Sequence, residues 1–216
     1  DVADELPDVF ISELRKTVKA IKPQALVLGE VWEDASNKVS YNVQRRYFSG
    51  GELDSVMNYP FYKAIVEFVN GGHRAAAFQS AVMAIAENYP KHVLDCVMNS
   101  LSTHDTVRIL TLLGDNFQGS KQEKAGRFLD DAQRTAAVNK ECAAAALQFT
   151  RPGMAFIFYG DEAGLEGFEA PFNRRFYPWG RENQELLSFY REISTIKAEK
   201  PVYRDGRIEF EDINEN

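Results

Sequence analysis

Four short apolar runs, Ala25–Gly29, Leu53–Asn58, His92–Leu101 and Met154–Tyr159, stand between stretches whose apolar residues recur every three or four positions. Strands that alternate with helices leave few topologies open. A strand pairing in parallel with the next one needs a long crossover, and a helix is the usual one. The chain is therefore expected to be an α/β protein built on a parallel sheet. Pro7 opens the first helix, with Phe10, Leu14, Val18 and Ile21 on one face, and Lys22-Pro23 stops it. Further helices are expected over Pro60–Val69, His73–Tyr89, Thr106–Leu113, Phe128–Phe149 and Glu182–Lys197, where period and stop signals agree. Glu33–Gly51, Asp115–Gly126 and Gly160–Gly180 read as loops, the first long enough to carry function. Met154–Tyr159 is continuously apolar, the pattern of a strand buried on both faces. Pro201–Phe210 reads as the start of a hairpin turning at Asp205-Gly206.

Charge narrows the function classes. Asp plus Glu number 32 against 25 Lys plus Arg, a formal charge of −7. That argues against a nucleic-acid footprint, which would need a basic face. Cys96 and Cys142 lie in apolar contexts and read as small buried thiols. No apolar run approaches the length of a membrane span, and none marks a membrane partner. No signal peptide is recognisable. The chain starts at Asp1 without Met and reads as a fragment, so the compartment, cytoplasmic or secreted, stays open.

Polar residues follow each run: Glu30 and Trp32, Asn58 and Tyr59, His104 and Asp105, Asp161 and Glu162. Acids collected at the C-terminal ends of parallel strands are the arrangement of a barrel's active face. Two carboxylates facing each other across a glycosidic bond divide its cleavage: one attacks the anomeric carbon and the other protonates the departing oxygen. Asp1, Glu30 and Asp105 are the candidate acids. His104 suits a hydrogen bond to a sugar hydroxyl, and Trp32 suits stacking on a sugar ring. Taken singly, each has a plainer reading. Glu30 is a loop acid beside a core Trp, Asp105 a helix N-cap, His104 a structural histidine, and Asp1 a frayed end. The spacing of these acids and His104 is not that of common metal motifs, so no metal is expected.

Together these stretches resemble the α-amylase family, glycoside hydrolase family 13. Leu28-Gly29-Glu30-Val31-Trp32 looks like its strand-five motif, whose Glu is the general acid/base. Ser102-Thr103-His104-Asp105-Thr106 looks like the strand-seven motif, whose His and Asp hold the sugar and help stabilise the transition state. Asp1-Val2-Ala3-Asp4-Glu5 looks like the tail of the strand-four motif, whose Asp is the nucleophile. Phe158-Tyr159-Gly160-Asp161-Glu162-Ala163-Gly164 is similar to the strand-eight motif. Asn173-Arg174-Arg175 with Pro178-Trp179 resembles the loop after it in the neopullulanase and cyclomaltodextrinase branch.

The resemblance implies a partial (β/α)8 TIM barrel. Residues 1–199 would be the C-terminal half of the catalytic domain, from the end of strand four through strand eight and its helix. Residues 200–216 would begin a C-terminal β domain. The implied activity is retaining hydrolysis of α-1,4 bonds in maltooligosaccharides, starch, cyclodextrin or pullulan. Asp1 would be the nucleophile, Glu30 the acid/base and Asp105 the transition-state stabiliser, with His104, Trp32 and Arg174 as substrate contacts. The two working carboxyls would lie about 5–5.5 Å apart. No organic cofactor is implied; calcium is common in the family, but no local ligand set supports it here. The chain departs from the pattern at Ala170, where the branch has Asp four residues before the loop Arg; Glu169 stands beside it. Two other readings keep much of this sequence: a transglycosylase of the same family, and a non-catalytic binding protein on the same barrel. The presence of both Glu30 and Asp105 favours the enzyme. An isolated half barrel is expected to be inactive, and its open sheet edges to favour a dimer.

Overall fold

The computed structural model describes residues 1–49 and 51–211; Gly50 and residues 212–216, the far end of the expected β segment, lie outside the described residues. A tight turn over Ala3–Glu5 leads into α1 (Asp8–Ile21). β1 (Leu28–Gly29) follows, then a hairpin of β2 (Val39–Ser40) and β3 (Val43–Gln44). β4 (Ser55–Val56) precedes α2 (Tyr59–Val69), α3 (Ala75–Asn88) and α4 (Lys91–Leu94). β5 (Met98–Ser100) precedes α5 (Ile109–Gly114), α6 (Lys121–Ala125) and α7 (Asp131–Phe149). β6 (Met154–Phe156) precedes α8 (Gln184–Glu199) and α9 (Val202–Asp205).

The strands that alternate with helices lie side by side in chain order, all parallel. Leu28 pairs with Ser55 and Gly29 with Val56; Met57 bridges to Met98; Met98, Asn99 and Ser100 pair with Met154, Ala155 and Phe156. The result is an arc, not a closed barrel: among the described residues, β1 and β6 each keep one edge without a strand partner. Buried amides stitch the arc together. Asn58 Nδ2 donates to Asn99 Oδ1 (2.9 Å), and Gln148 on α7 donates to the carbonyls of Asn99 (2.7 Å) and Phe156 (2.8 Å).

Two apolar clusters hold the layers. One joins Ile65, Phe78, Leu101, Leu110, Ala144 and Leu186, packing the α2, α3, α5, α7 and α8 helices against each other and the strands. The other lies under β1 and β4, around Val27, Val31, Val56, Val93 and Val97. Each buried Val, Leu, Ile or Phe among them contributes on the order of 1.5–3 kcal/mol by leaving water. α1 is held differently. Asp54 receives Arg15 (2.6 Å), Lys19 (2.9 Å) and the Val27 amide (2.8 Å), while Ile11 is its one fully buried residue. Burial alone would lift the Asp54 carboxyl, but these donors hold it below the usual carboxylate range.

Several expectations are corrected. Residues 91–94 are the helix α4, because Pro90 starts a helical turn and β5 pairs only from Met98. Asp105 does not cap a helix: α5 begins at Ile109, after Arg108. The loop after α5 contains α6, set by a Ser120–Glu123 capping box. β6 is not buried on both faces: Phe156 and Tyr159 are exposed, and among the described residues no strand lies beyond it. Residues 202–205 are helical where a hairpin was expected. Both cysteines are free and half-buried.

Candidate active site

β1 delivers Glu30, and Gly29 before it is dictated by crowding. A Cβ there would stand 2.4 Å from Leu53 Cδ1 and 3.3 Å from the Ala3 Cβ. This close approach brings the start of the chain against β1, with the Ala3 amide donating to the Glu30 carbonyl (3.1 Å). Val2 takes a left-handed conformation (φ 41°), unusual for a β-branched residue, and points its amide at Glu30 Oε2 (3.2 Å).

The long loop before β4 latches that segment. Arg45, itself buried, donates to the carbonyls of Ala3 (3.2 Å), Asp4 (3.1 Å) and Leu6 (2.6 Å) and pairs with Asp8 (2.9 Å). Tyr47 donates to Asp4 Oδ1 (2.6 Å), and Lys38 pairs with the same carboxylate (3.2 Å). The loop therefore fixes where Asp1 stands relative to Glu30.

Asp1, Glu30 and His104 converge. One side-chain donor atom from each lies within 4.8 Å of the other two. They line a cavity of about 440 Å³ together with Met57 and Met98. Glu30 is buried while Asp1 is exposed. Among the described residues this trio is also the one grouping of three side chains able to hold a metal ion. Its donor set, two carboxylates and an imidazole, is equally that of an acid/base site, and nothing in its geometry selects the metal.

Asp105 sits at the cavity's edge, not in its lining. Its carboxylate lies 3.3 Å from His104 Nε2 and 3.0 Å from Arg174 Nη2. Arg174 also donates to the His104 carbonyl (3.0 Å), so its guanidinium is engaged within the protein. Trp32, half-buried, stacks on Tyr59 at 4.0 Å and 12°. Asp161 does not join the rim. It forms a buried ion pair with Arg108 (3.0 Å), and burial pushes its carboxyl up to about 7 against the pull of that guanidinium.

Tyr59, Thr103 and Asn173 were given no role by pattern reading, and the structure puts all three at the site. Tyr59 bonds Glu30 Oε1 (3.4 Å) and Thr103 Oγ1 (3.3 Å). Asn173 donates to the carbonyls of His104 (2.7 Å) and Thr106 (2.8 Å), fixing the turn that carries His104 and Asp105. The available signal was position: Asn58-Tyr59 directly follows a strand, as the named acids do.

The profile described as "Alpha amylase, catalytic domain" matches residues 6–207. The chain belongs to the α-amylase family. It is 36% identical to an amylopullulanase of Thermoanaerobacter thermohydrosulfuricus over 220 residues, covering 97% of this chain and 14% of that protein. It is 30% identical to a cyclomaltodextrinase of Geobacillus thermopakistaniensis over 213 residues, covering 97% of this chain and 31% of that one. Among solved structures, the cyclic α-maltosyl-(1→6)-maltose hydrolase of Arthrobacter globiformis in complex with maltose matches with a TM-score of 0.78 at 26% identity. That match covers 96% of this chain and 41% of the hydrolase. The α-amylase-family match takes in Glu30, Trp32, His104, Asp105 and Arg174, while Asp1 lies just ahead of it.

Proposed function

We propose that this α-amylase-family chain carries the nucleophile, the acid/base and the stabilising acid of a retaining α-glucan hydrolase site. It is the C-terminal half of a (β/α)8 barrel, from the end of strand four through strand eight, with residues 200–216 leading into a C-terminal β domain. Asp1 attacks the anomeric carbon while Glu30 gives its proton to the departing oxygen. Water then displaces Asp1 as Glu30 takes the proton back. Asp105 stabilises the developing positive charge, and His104 hydrogen-bonds the sugar beside it. Trp32 offers one ring face to a glucosyl unit; Arg174 contributes through Asp105, which it holds. The substrates are α-1,4-linked: maltooligosaccharides, starch, cyclodextrin or pullulan.

The observation that carries this reading is the convergence of Asp1, Glu30 and His104 within 4.8 Å at the mouth of one cavity. A carboxylate pair that close suits a covalent intermediate; an inverting pair needs a wider gap for its water. Proton NMR of the first products of maltotriose cleavage by the full-length protein tests it. An α-anomer appearing first is expected; a β-anomer first would contradict the double displacement.

A further inference from the structure

We propose that Tyr59 is a positioning residue for Glu30. Its hydroxyl closes a one-way hydrogen-bond chain running from the Asp105 amide through Thr103 to the Glu30 carboxylate. The inference rests on the assignment of Glu30 as acid/base and adds the group that holds its carboxylate.

Tyr59 opens α2 directly after β4. Asn58 caps the helix by accepting from the Phe61 amide (3.4 Å), and Pro60 fixes the next backbone angle. The direction of the phenol is thus set by the helix start. The ring is only 1% exposed, and its stacking on Trp32 keeps it from rotating away. Tyr62 packs edge-on behind it at 6.4 Å.

Counting protons fixes the polarity of the chain. An ionised Glu30 can only accept, so Tyr59 donates to Oε1 (3.4 Å). With its proton committed, the Tyr59 oxygen accepts from the Thr103 hydroxyl (3.3 Å). The Thr103 oxygen in turn accepts from the Asp105 amide (3.2 Å). The turn bearing one working acid is thereby wired to the carboxylate of the other. Burial lifts the Tyr59 phenol to about 12, with the Thr103 bond opposing and the Glu30 and Asp105 charges adding, so it remains a donor throughout the neutral range.

The charged and titratable groups facing Glu30 are Asp1 from the chain start and His104 and Asp105 from the turn after β5. Tyr59 faces it from α2, with Tyr62 behind that ring, and Arg174 pairs with Asp105. Oε2 accepts a hydrogen bond from the Val2 amide (3.2 Å), and Tyr59 is the side chain that donates to Oε1. Each donor holds one oxygen of the carboxylate, and a donor to a carboxylate favours its charged form.

Tyr59→Phe keeps the ring that Trp32 stacks on and removes only the proton. In the full-length protein, the basic limb of kcat/KM against pH on maltotriose is expected to move up by at least about 0.3 unit, with kcat reduced roughly threefold to tenfold and KM within about twofold. Thr103→Val cuts the same chain without touching the ring and is expected to move the limb the same way by less. It also serves as the test should Tyr59→Phe fail to fold. An unmoved basic limb in a folded, active variant overturns the proposal. A full-length protein silent on α-glucans, or a Glu30→Gln variant that keeps its rate, would overturn the acid/base assignment instead.

Discussion

The middle of the strand arc and its two ends follow the same sequence code and reach different outcomes. In the middle, apolar residues of β4, of the segment after β5 and of α7 are buried almost completely, Val56 at 0% exposure and Leu101 at 1%. At one end, α1 has an equally clear apolar stripe, yet Phe10 is 52% and Ile21 83% exposed. At the other end, Phe156 and Tyr159 of the β6 segment face outward. Periodicity specifies that a helix or strand has an apolar face; it does not specify what covers that face. The middle finds its cover within this chain, and the ends do not. α1 stays docked through Arg15 and Lys19 on Asp54, its polar side, so electrostatics substitutes for packing where packing has no partner.

That contrast can be broken most forcefully in the middle. Arg108 is fully buried, pairs with Asp161, donates to the Asn173 and Tyr159 carbonyls and stacks on Phe158 at 4.1 Å. Arg108→Met strands a buried carboxylate and should cost about 3–5 kcal/mol in a urea melt. At the α1 end, Asp54→Asn should cost roughly 1–3 kcal/mol at pH 7. The Asp54 carboxyl is held below its usual range. Its contribution is therefore complete above the unfolded value of about 3.9 and lost as pH falls through the folded one, so variant and wild type should converge in acid melts.

Glu141 sharpens the contrast in the opposite sense. It is buried in α7 with Tyr190 as partner to one oxygen (3.2 Å) and none to the other. Burial, with Asp161 nearby, raises its carboxyl well above the usual range. A raised acid takes up protons on folding, so stability falls as pH rises past its unfolded value of about 4.3. Glu141→Gln should stabilise the fold by about 1 kcal/mol at pH 8 and by nothing at pH 4, read as paired thermal melts. The smallest stability effect belongs to the exposed stripe. Phe10→Gln with Leu14→Gln should change stability by less than about 0.5 kcal/mol. The same pair should lower any self-association of the isolated chain seen by light scattering; an unchanged mass would mean that these faces do not pair.

Legibility followed the same division. The alternation of strands and helices, the helix at residues 8–21 and the long α7 were readable because stripe and stop signals agree locally. The strand-end acid Glu30 and the His104-Asp105 pair were readable because a strand end is a position in sequence. What could not be read depends on distant partners. The turn at residues 91–94 looked like strand because His92, Val93 and Leu94 are apolar enough for either form. Asp105 looked like a cap because its partners, His104 and Arg174, include one 69 residues away. The exposure of β6 follows from its pairing with β5 on one edge only among the described residues, which no local pattern records. Tyr59 was invisible for the same reason: its meaning lies in Glu30 and Thr103, 29 and 44 residues distant.

The most direct test of the account is reducing-sugar release from maltotriose and pullulan by the full-length protein, its Glu30→Gln variant and the chain of residues 1–216 alone. The account predicts an active parent, a loss of at least about 100-fold in Glu30→Gln, and a silent isolated chain, since among the described residues the strands form an arc and not a closed barrel. A Glu30→Gln protein that cleaves maltotriose at the parent's rate would contradict it, placing the chemistry somewhere other than the rim where Asp1, Glu30 and His104 meet.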